Sequence, residues 1–451
     1  MTKTAPLLAW YGDDFTGSAV VAEILDGFGI ETVLFVGIPD AALRDRFRNA
    51  RAVGIAGSAR SQSSAWMDRE LPPIFGWLTE QGSELIQYKV CSTMDSAPDI
   101  GSIGRAIDIG AEVTGRSLTP VMFASPAFRR YQAFGHLFAA DASGVARIDR
   151  HRTMSRHPST PIDESDTRIH LSRQTEQGVG LVNLEDLATE APREAFHREA
   201  RSGRPVVSVD VIDAATEKQA AAAIWDLRAE IGIAVASQGL TAGLAAHWAN
   251  LGLCSQRAST ALGPSERPVV VVSGSQSPQS AAQIAWGEAN GFATVSFASP
   301  EIAAGNAETA IVEAVEAAGA YIEAGRDVSV HAARGPDDPR IDQFRQAADR
   351  ACCPMPEARI ALAAALGRVL ARLTKAHRLS RVAIAGGDTS SHAATALGIS
   401  ALTPLAAIAG GAALHTGHFA DPNQPRVEIM LKGGQMGPVD VYGRLREGAS
   451  R

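Results

Sequence analysis

The sequence predicts an α/β fold of two domains, each a mainly parallel sheet flanked by helices. Its 451 residues are too many for one ordinary hydrophobic core. Short apolar runs alternate with helix-forming segments along most of the chain, a pattern typical of parallel strands covered on both faces. The stretch 258–267 has little apolar pattern and is the best linker candidate. We therefore place the domains at residues 1–257 and 268–451.

The apolar runs give the predicted strands in chain order. They are short, aliphatic and bounded by glycine or polar residues, as buried strands are. In the first domain they lie at 6–11, 32–36, 52–56, 85–90, 120–123, 178–182, 205–209 and 231–236. In the second domain they lie at 269–272, 327–331, 382–385 and 427–431, with helices predicted at 278–290, 307–324 and 356–376.

Composition and charge limit the classes of function. With 45% hydrophobic residues the chain can bury a substantial core, and its net charge of -7 argues against nucleic acid or an anionic membrane as the main partner. We find no run of about 18 apolar residues and no apolar signal-peptide core near the start. The four cysteines lack CxxC spacing, as expected for free thiols in a reducing compartment. We therefore expect a cytoplasmic protein.

Two adjacent carboxylates follow the first predicted strand. Asp13 and Asp14 stand just beyond 6–11, where open α/β sheets place their ligand crevices. Carboxylates at this point suit polyol hydroxyls, a metal ion or proton abstraction from an alcohol. The alternative is that Asp14 or Thr16 only caps the following helix.

A second polar cluster follows the strand predicted at 85–90. Lys89, Ser92, Thr93 and Asp95 bring a cation, hydroxyl groups and a carboxylate to one strand end. This mixture suits a hydroxy acid, because its carboxylate needs a cationic or N–H partner and its hydroxyls need acceptors. A solvated polar loop is the alternative.

The segment 147–170 is rich in arginine and histidine. Arg150 and His157 are its candidates for binding an anionic substrate from a covering loop. A solvated basic surface is the alternative. A metal site is disfavoured, because the histidines are irregularly spaced and form no HExxH or HxH pair. We therefore predict no metal ligands in this segment.

Three small-residue turns in the second domain each follow a predicted strand. Helix starts and glycine turns place backbone N–H groups where they can bind phosphate. An ordinary strand–helix turn is the alternative for each one taken alone. The chain has no GxxxxGK[ST], HRD or DFG motif, so a nucleotide site here would lie outside the P-loop and protein-kinase plans. The candidate residues are Ser273, Gly274, Ser275, Gly386, Gly387, Asp388, Thr389, Ser390, Lys432, Gly433 and Gly434.

Six motifs in a fixed order carry a resemblance to a known family. They are GDDFTGS, KVCSTMDS followed by IGSIG, SRHPSTPIDESD, SGSQSPQS, AGGDTSS and LKGGQMG, and they span nearly the whole chain. The chain resembles the four-carbon acid sugar kinases. The resemblance implies an N-terminal domain that holds the acid sugar, a C-terminal domain that holds ATP, and an active site in the interdomain cleft. It also implies phosphorylation of a terminal hydroxyl of a threonate-, erythronate- or 3-oxo-tetronate-like acid.

The resemblance also implies residue roles by position. On the sugar side these are Asp13, Lys89, Ser92 and Thr93 for binding, and Asp14 or Asp95 for orienting or deprotonating the acceptor hydroxyl. On the nucleotide side the three turns would hold ATP, with Mg²⁺ as cofactor and with Lys432 or the helix N-termini neutralising phosphate. Asp388 would bind Mg²⁺, cap its helix or contact ribose.

Three motif variants bear on the identity of the acid. Asp95-Ser96-Ala97-Pro98 stands where many members carry an arginine in a DSTLRG-like segment, and this form resembles the 3-oxo-acid branch. Residues 101–104 read GSIG where members usually show GNIG, and residues 236–239 read ASQG where members show a GSSG-like or GGSG-like turn. These last two variants leave room for a branched 3-oxo acid. A non-catalytic sensor of a sugar acid or nucleotide is the alternative function, and a homodimer is compatible with the sequence.

Overall fold

The computed structural model describes residues 5–141, 143–157, 159–257 and 261–448, except for the side chain of Asp388. The chain divides into one unit of residues 1–33 and 44–257 and a second unit of residues 34–43 and 258–451. Each unit is built from a mainly parallel sheet with helices, which confirms the predicted fold class. Across the described ranges, no helix combines the length and apolarity needed to cross a bilayer.

Short strands and longer helices alternate through the first part of the chain, and each predicted strand is present. The strands are β1 (Leu8–Gly12), β2 (Thr32–Phe35), β3 (Ala52–Ala56), β4 (Leu85–Lys89), β5 (Thr119–Met122), β6 (Arg130–Ala133), β7 (His136–Asp141), β8 (Gly144–Arg147), β9 (Val179–Val182), β10 (Val206–Val209) and β11 (Ala234–Ala236). The helices are α1 (Phe15–Gly27), α2 (Ala41–Arg46), α3 (Ser64–Glu80), α4 (Ile103–Thr114), α5 (Thr167–Ser172), α6 (Leu184–Leu187), α7 (Pro192–Arg201), α8 (Ala214–Asp226) and α9 (Gln238–Asn250).

The first unit's parallel sheet has the strand order β3-β1-β4-β11-β5-β10-β9. Gly12, the last residue of β1, pairs with Ala56 of β3 and with Lys89 of β4. The carboxyl ends of these three strands therefore lie side by side at one edge of the sheet. Strands β6, β7 and β8 form a separate antiparallel sheet that the sequence reading did not predict.

Helix α3 illustrates how this sheet is covered. Met67, Leu71, Phe75 and Leu78 recur every three or four residues and form one buried stripe on the helix. They belong to a core cluster that also contains Tyr88 of β4. Each such side chain contributes roughly 1.5–3 kcal/mol when it leaves water, so the stripe fixes the helix on the sheet.

The second unit repeats the alternation and adds a pair of long strands. Its strands are β12 (Val270–Ser273), β13 (Ala293–Ser296), β14 (Val328–His331), β15 (Arg381–Ala385), β16 (Ile399–Ala409), β17 (Ala412–Phe419) and β18 (Val427–Lys432). Its helices are α10 (Pro278–Ala289), α11 (Ser299–Ala303), α12 (Ala307–Glu323), α13 (Pro339–Arg350), α14 (Met355–His377), α15 (Gly387–Ala396) and α16 (Val441–Glu447).

The sheet of the second unit is parallel in the order β13-β14-β12-β15-β18, followed by antiparallel β17 and β16. Strands β13, β16 and β17 were not predicted from the sequence. Strand β16 contains four alanines and a proline, residues with weak β propensity, so pairing with neighbouring strands decides its conformation.

Arg381 connects this sheet to the last helix. It pairs in register with Glu428 of β18, and its Nε donates to Glu428 Oε2 at 2.6 Å. Its Nη1 donates to the carbonyls of Gly263 at 3.1 Å and of Leu445, in α16, at 3.0 Å. The Arg381 side chain is only 4% exposed, so water cannot readily replace it as the hydrogen-bond donor to these partners.

We expect Arg381→Met to lower the free energy of unfolding by about 2 kcal/mol, because it removes the partner of Glu428 and the donor to two carbonyls. Urea denaturation followed by circular dichroism measures the change. Arg444→Met is the matched control: it breaks an exposed pair with Asp440 and should cost less than about 0.5 kcal/mol. Equal losses in the two variants would contradict the structural role assigned to Arg381.

Candidate active site

Asp13 and Asp14 lie at the carboxyl end of β1 and share one arginine. Arg60 Nη2 lies 2.7 Å from Asp13 Oδ1 and 2.7 Å from Asp14 Oδ1, and its Nε donates to Asp13 Oδ2 at 3.1 Å. Arg60 stands beyond the end of β3, the strand beside β1, so the sheet itself brings the three groups together. The two-point contact with Asp13 fixes the plane of the guanidinium while the contact with Asp14 balances a second charge.

Asp14 is also the N-cap of α1. Its carboxylate accepts from the Gly17 N–H at 3.2 Å and from Thr16 Oγ1 at 2.6 Å. The capping alternative is therefore observed, and it coexists with the ion pair to Arg60. A carboxylate held by an amide, a hydroxyl and a cation keeps one orientation, as a group that receives a substrate hydroxyl must.

The two carboxyl groups differ in acidity. Burial raises the pKa of Asp13, and the nearby charge of Asp14 adds to this while Arg60 opposes it. Burial acts in the same direction on Asp14, but Arg60, Lys89 and its hydrogen bonds outweigh burial and lower the pKa. Asp14 is therefore the carboxylate that stays ionised, and Asp13 is the one more readily protonated.

Lys89 ends β4 beside these carboxylates. It is only 2% exposed, and its Nζ donates to the carbonyl of Val90 at 2.7 Å. Burial lowers the pKa of Lys89, and the charges of Asp14 and Asp13 oppose that shift. The Asp13 N–H donates to the Lys89 carbonyl at 2.9 Å, which joins the two strand ends through the backbone. Two cations and two carboxylates thus share one edge of the sheet.

The loop after β4 is buried rather than solvated. Ser92, Thr93 and Asp95 are 8%, 7% and 9% exposed. Thr93 Oγ1 donates to Asp95 Oδ1 at 2.7 Å and lies 2.9 Å from Cys91 Sγ. Burial raises the pKa of Cys91 to about 11, so this thiol stays protonated near neutral pH. Two contacts within the loop therefore connect its thiol, hydroxyl and carboxylate groups.

Arg150 and His157 occupy a different setting. Arg150 is exposed at the end of the short 3-10 turn Ile148–Arg150. His157 is half-buried, and its Nδ1 lies 3.1 Å from the Thr160 N–H nitrogen and 2.9 Å from Thr160 Oγ1. Within the described ranges, no hydrogen bond or ion pair links either residue to Asp13 or Asp14. Their role in substrate binding stays a prediction.

Sequence reasoning missed Arg60. The strand before it was predicted at 52–56, and a polar residue at or just beyond a strand end was the signal used for Lys89 and Asp13. Applied evenly, the same rule would have selected Arg60. What the sequence does not contain is that β3 lies next to β1, which follows from long-range pairing.

The three small-residue turns of the second unit lie together. Strands β12, β15 and β18 are parallel neighbours, with Ser273 opposite Ala385 and Ala385 opposite Lys432. The turns that follow them therefore leave the sheet at one edge. Backbone bonds join them there, since the Gly274 N–H donates to the Ala385 carbonyl at 3.1 Å and the Gly386 N–H donates to the Lys432 carbonyl at 3.0 Å.

Side chains of the first turn hold the third. Ser277, the N-cap of α10, donates its hydroxyl to the Gly434 carbonyl at 2.6 Å, and Ser280 donates to the same carbonyl at 2.8 Å. Gln283 Nε2 lies 3.0 Å from the Met436 carbonyl, further along the third turn. One face of α10 thus fixes the backbone that follows β18.

Close approach explains two of the glycines. A Cβ on Gly434 would overlap the Ser275 hydroxyl, and a Cβ on Gly274 would overlap the Thr389 hydroxyl. In each case the glycine and the hydroxyl group belong to two different turns. Gly386 has a φ of 126°, a conformation that other residues rarely adopt. The backbone of one turn therefore packs against a side chain of another. The N-terminus of α15 follows directly after Gly386, where these turns meet.

Lys432 is the cation of this group. The residue is fully buried at the end of β18, and its Nζ donates to the Gly433 carbonyl at 3.2 Å. Burial lowers the pKa of Lys432 to about 8, so the amine still carries its proton at neutral pH. Asp388 lies in α15, but its side chain is outside the part of the chain that the structure describes. Within that part, no group of three His, Cys, Asp or Glu residues could hold a metal ion.

Two family models match most of the chain and divide it between the two clusters. A sugar-binding N-terminal domain matches residues 8–244, which contain Asp13, Arg60 and Lys89. A nucleotide-binding C-terminal domain matches residues 270–441, which contain the three glycine turns.

Curated relatives match over nearly the full length. A 3-oxo-isoapionate kinase of Paraburkholderia graminis is 42% identical over 443 residues, which are 98% of this chain and 94% of the relative. A 3-oxo-tetronate kinase of Cupriavidus necator is 28% identical over 97% of this chain and 96% of the relative. A crystal structure of a Salmonella typhimurium LT2 protein is 22% identical, with a TM-score of 0.77 over 97% of this chain and 98% of that one. This last likeness concerns the fold alone.

We expect Gly434→Ala to weaken ATP binding at least about tenfold, because the added methyl group collides with Ser275 and overpacking costs about 1–3 kcal/mol. Isothermal titration of the protein with ATP gives the Kd. Gly410→Ala is the control, since a Cβ there meets no atom within 4 Å. Unchanged ATP affinity in Gly434→Ala would mean that the packed turns do not form the nucleotide site.

Proposed function

The chain belongs to the four-carbon acid sugar kinase family, and on that premise we propose that it uses ATP to phosphorylate a terminal hydroxyl of a small 3-oxo sugar acid. The observation that carries the proposal is the Asp13–Arg60–Asp14 group, which offers a cation and an ionised carboxylate at one strand end. A hydroxy acid needs both, one for its carboxylate and one for its hydroxyl. Relatives that are named as kinases favour catalysis over a non-catalytic sensor.

A branched 3-oxo acid is the first substrate to test. The relative named 3-oxo-isoapionate kinase is 42% identical, whereas those named 3-oxo-tetronate kinase are at most 29% identical. The residues Asp95-Ser96-Ala97-Pro98 support a 3-oxo acid as well, since they depart from the DSTLRG-like form. Linear four-carbon acids are therefore the second choice.

On the acid side we assign complementary roles to Arg60 and Asp14. Three contacts from Nε and Nη2 bind Arg60 to the two carboxylates, and Nη1 takes part in none of them. Its remaining donors suit the carboxylate of the substrate. Asp14 stays ionised and accepts the hydrogen bond of the acceptor hydroxyl, which orients this oxygen and takes up its proton as phosphorus is attacked. Asp95 is the alternative base.

On the nucleotide side, the glycine turns and Lys432 hold phosphate. The α15 N-terminus supplies N–H groups, and Lys432 places a positive charge beside them. Mg²⁺ bound with ATP would neutralise the negative charge that develops on the phosphate oxygens. Such an ion needs only one or two protein carboxylates. We keep Asp388 as the candidate ligand because it follows Gly386 and Gly387 in the sequence.

The function is tested by ADP release. Purified protein with ATP and Mg²⁺ should release ADP with at least one acid from a panel of branched 3-oxo, linear 3-oxo and 2,3-dihydroxy acids of four or five carbons. Mass spectrometry of the product identifies the phosphorylated hydroxyl. Measurable ATP binding without ADP release for any acid in the panel would refute the kinase function and favour a sensor.

We expect Asp14→Asn to lower kcat about 10²-fold or more, because it removes the ionised acceptor of the hydroxyl proton. Asp95→Asn should chiefly raise the KM for the acid. Steady-state kinetics with the best acid of the panel separate the two effects. Asp45→Asn, at an exposed ion pair, is the control and should behave as the parent. Full kcat in Asp14→Asn with loss of activity in Asp95→Asn would reverse the assignment.

We expect the KM for ATP to rise as pH increases through about 8, because Lys432 then loses the proton that makes it a phosphate ligand. The phosphate itself titrates near 6 and does not change charge in this interval. The stability of the free protein changes in the opposite direction to its affinity for ATP as pH rises. The pKa of Lys432 falls from 10.5 to about 8 on folding, so the unfolded chain binds more protons between these values and stability rises with pH there.

Lys432→Met supplies the control for this pH effect. The variant should bind ATP more weakly at pH 7 and should lack the rise of KM above pH 8 that the parent shows. Kinetics from pH 6.5 to about 9.5 measure both. A parent profile that is flat over this range, or one that Lys432→Met leaves intact, would remove Lys432 from the phosphate site.

A further inference from the structure

One side-chain amide joins the loop after β4 to the first turn of α4. Gln174 Oε1 lies 2.9 Å from the Ile103 nitrogen and 3.3 Å from the Gly104 nitrogen, both of which can only donate. The amide oxygen must therefore face the helix, and the amide nitrogen faces the other way. There Nε2 lies 3.0 Å from Ser96 Oγ and 3.0 Å from His170 Nε2. Every polar atom of this amide has a partner.

The loop that it reaches carries Thr93 and Asp95 and has a costly backbone conformation. Met94 has a φ of 48°, in the left-handed region that residues other than glycine rarely occupy. Such a conformation persists only where surrounding contacts hold it. Ser96 is the residue directly after Asp95, and it is 3% exposed. A contact to Ser96 is therefore placed to hold Asp95 in position.

His170 completes the attachment. It is buried, and its Nε2 lies 2.9 Å from Ser96 Oγ as well as 3.0 Å from Gln174 Nε2. Burial lowers the pKa of His170 to about 4, with the nearby charge of Arg173 acting in the same direction, so the ring is neutral at neutral pH. A neutral ring nitrogen can accept a hydrogen bond from the amide. Gln174, His170 and Ser96 thus form one buried polar group.

We propose that Gln174 is a positioning residue for the sugar acid: its amide fastens Ser96 to the first turn of α4 and so holds Thr93 and Asp95 in the conformation that binds the acid. The inference rests on the proposed kinase function. None of these atoms belongs to the glycine turns of the nucleotide cluster. The contribution of Gln174 should therefore appear in the KM for the acid and leave the KM for ATP unchanged.

Two variants separate this role from simple capping of α4. Ser96→Ala removes the loop end of the attachment and leaves the contacts to Ile103 and Gly104, while Gln174→Met removes both ends. Each should raise the KM for the acid about three- to tenfold, as loss of one buried hydrogen bond predicts. The KM for ATP should stay within about twofold. Only Gln174→Met should also lower Tm, because only this variant removes the acceptor of the Ile103 and Gly104 N–H groups, while Ser102 remains the N-cap of α4.

The double variant and a matched control complete the test. Ser96→Ala with Gln174→Met should raise the KM for the acid by less than the product of the two single increases, because both changes break the bond between Gln174 and Ser96. Ser96→Ala also removes the contacts of this hydroxyl to His170 and to the Met94 carbonyl, so the double variant can exceed Gln174→Met alone. Gln177→Met is the control, because its Nε2 donates to Asp108 of the same helix α4 at 2.8 Å without reaching the loop. This variant should keep the parent KM.

Three outcomes would overturn the inference. They are a parent-like KM for the acid in Gln174→Met, equal increases in the KM for both substrates, and multiplicative effects in the double variant. Failure of the proposed function is a separate result, because it would appear in the parent protein as absence of ADP release with every acid. The variants are therefore interpreted only against a parent that turns over.

Discussion

The first unit depends on one arginine that balances two carboxylates. Asp13 and Asp14 follow each other at a strand end, and without a cation two charges so close would not both stay ionised. Arg60 reaches both at 2.7 Å, and Lys89 adds a second buried cation. The two cations and the two carboxylates of this cluster sum to zero charge. Arg60 Nη1 takes part in none of the three contacts to the carboxylates. The cluster's balance of charge is what allows a polar site at the edge of an apolar sheet.

The second unit meets a different requirement, because the nucleotide site that we propose there needs backbone N–H groups that phosphate can reach. It does so by packing three turns so tightly that Gly274 and Gly434 have no room for a Cβ. Serine hydroxyls from α10 bind the Gly434 carbonyl and thereby fix the third turn. Here preorganisation comes from backbone geometry, whereas in the first unit it comes from ion pairs. Phosphoryl transfer relies on positioning and on charge neutralisation. Each cluster holds its polar groups in fixed positions and carries a cation.

The two clusters also differ in how burial affects their cations. Lys89 has Asp13 and Asp14 to oppose the effect of burial on its pKa. Burial is what shifts the pKa of Lys432, and it lowers this pKa to about 8. A cation that is destabilised in the free protein gains most from an arriving anion. This contrast suits Lys432 to a ligand that comes and goes, and Lys89 to a permanent place in the ion-pair cluster.

Much of the site could be predicted from local sequence. Polar residues at or just beyond strand ends gave the candidates Asp13, Asp14, Lys89 and Lys432, because parallel strands bring their carboxyl ends to one edge. Arg60 escaped this rule although its strand was predicted. Gln174 and His170 could not have been found, since they reach Ser96 across 78 and 74 positions of sequence. The substrate-binding roles of Arg150 and His157 remain predictions from the sequence.

The sequence by itself determined the α/β class, the strand positions and the residue types at each strand end, because periodicity and turn chemistry are local. It also carried the ordered motifs that indicate the family. Only the tertiary structure decided which strand ends are neighbours, and therefore that Arg60 pairs with Asp13 and Asp14 and that Ser275 packs on Gly434. Strand order follows from contacts between distant residues, which no local pattern encodes.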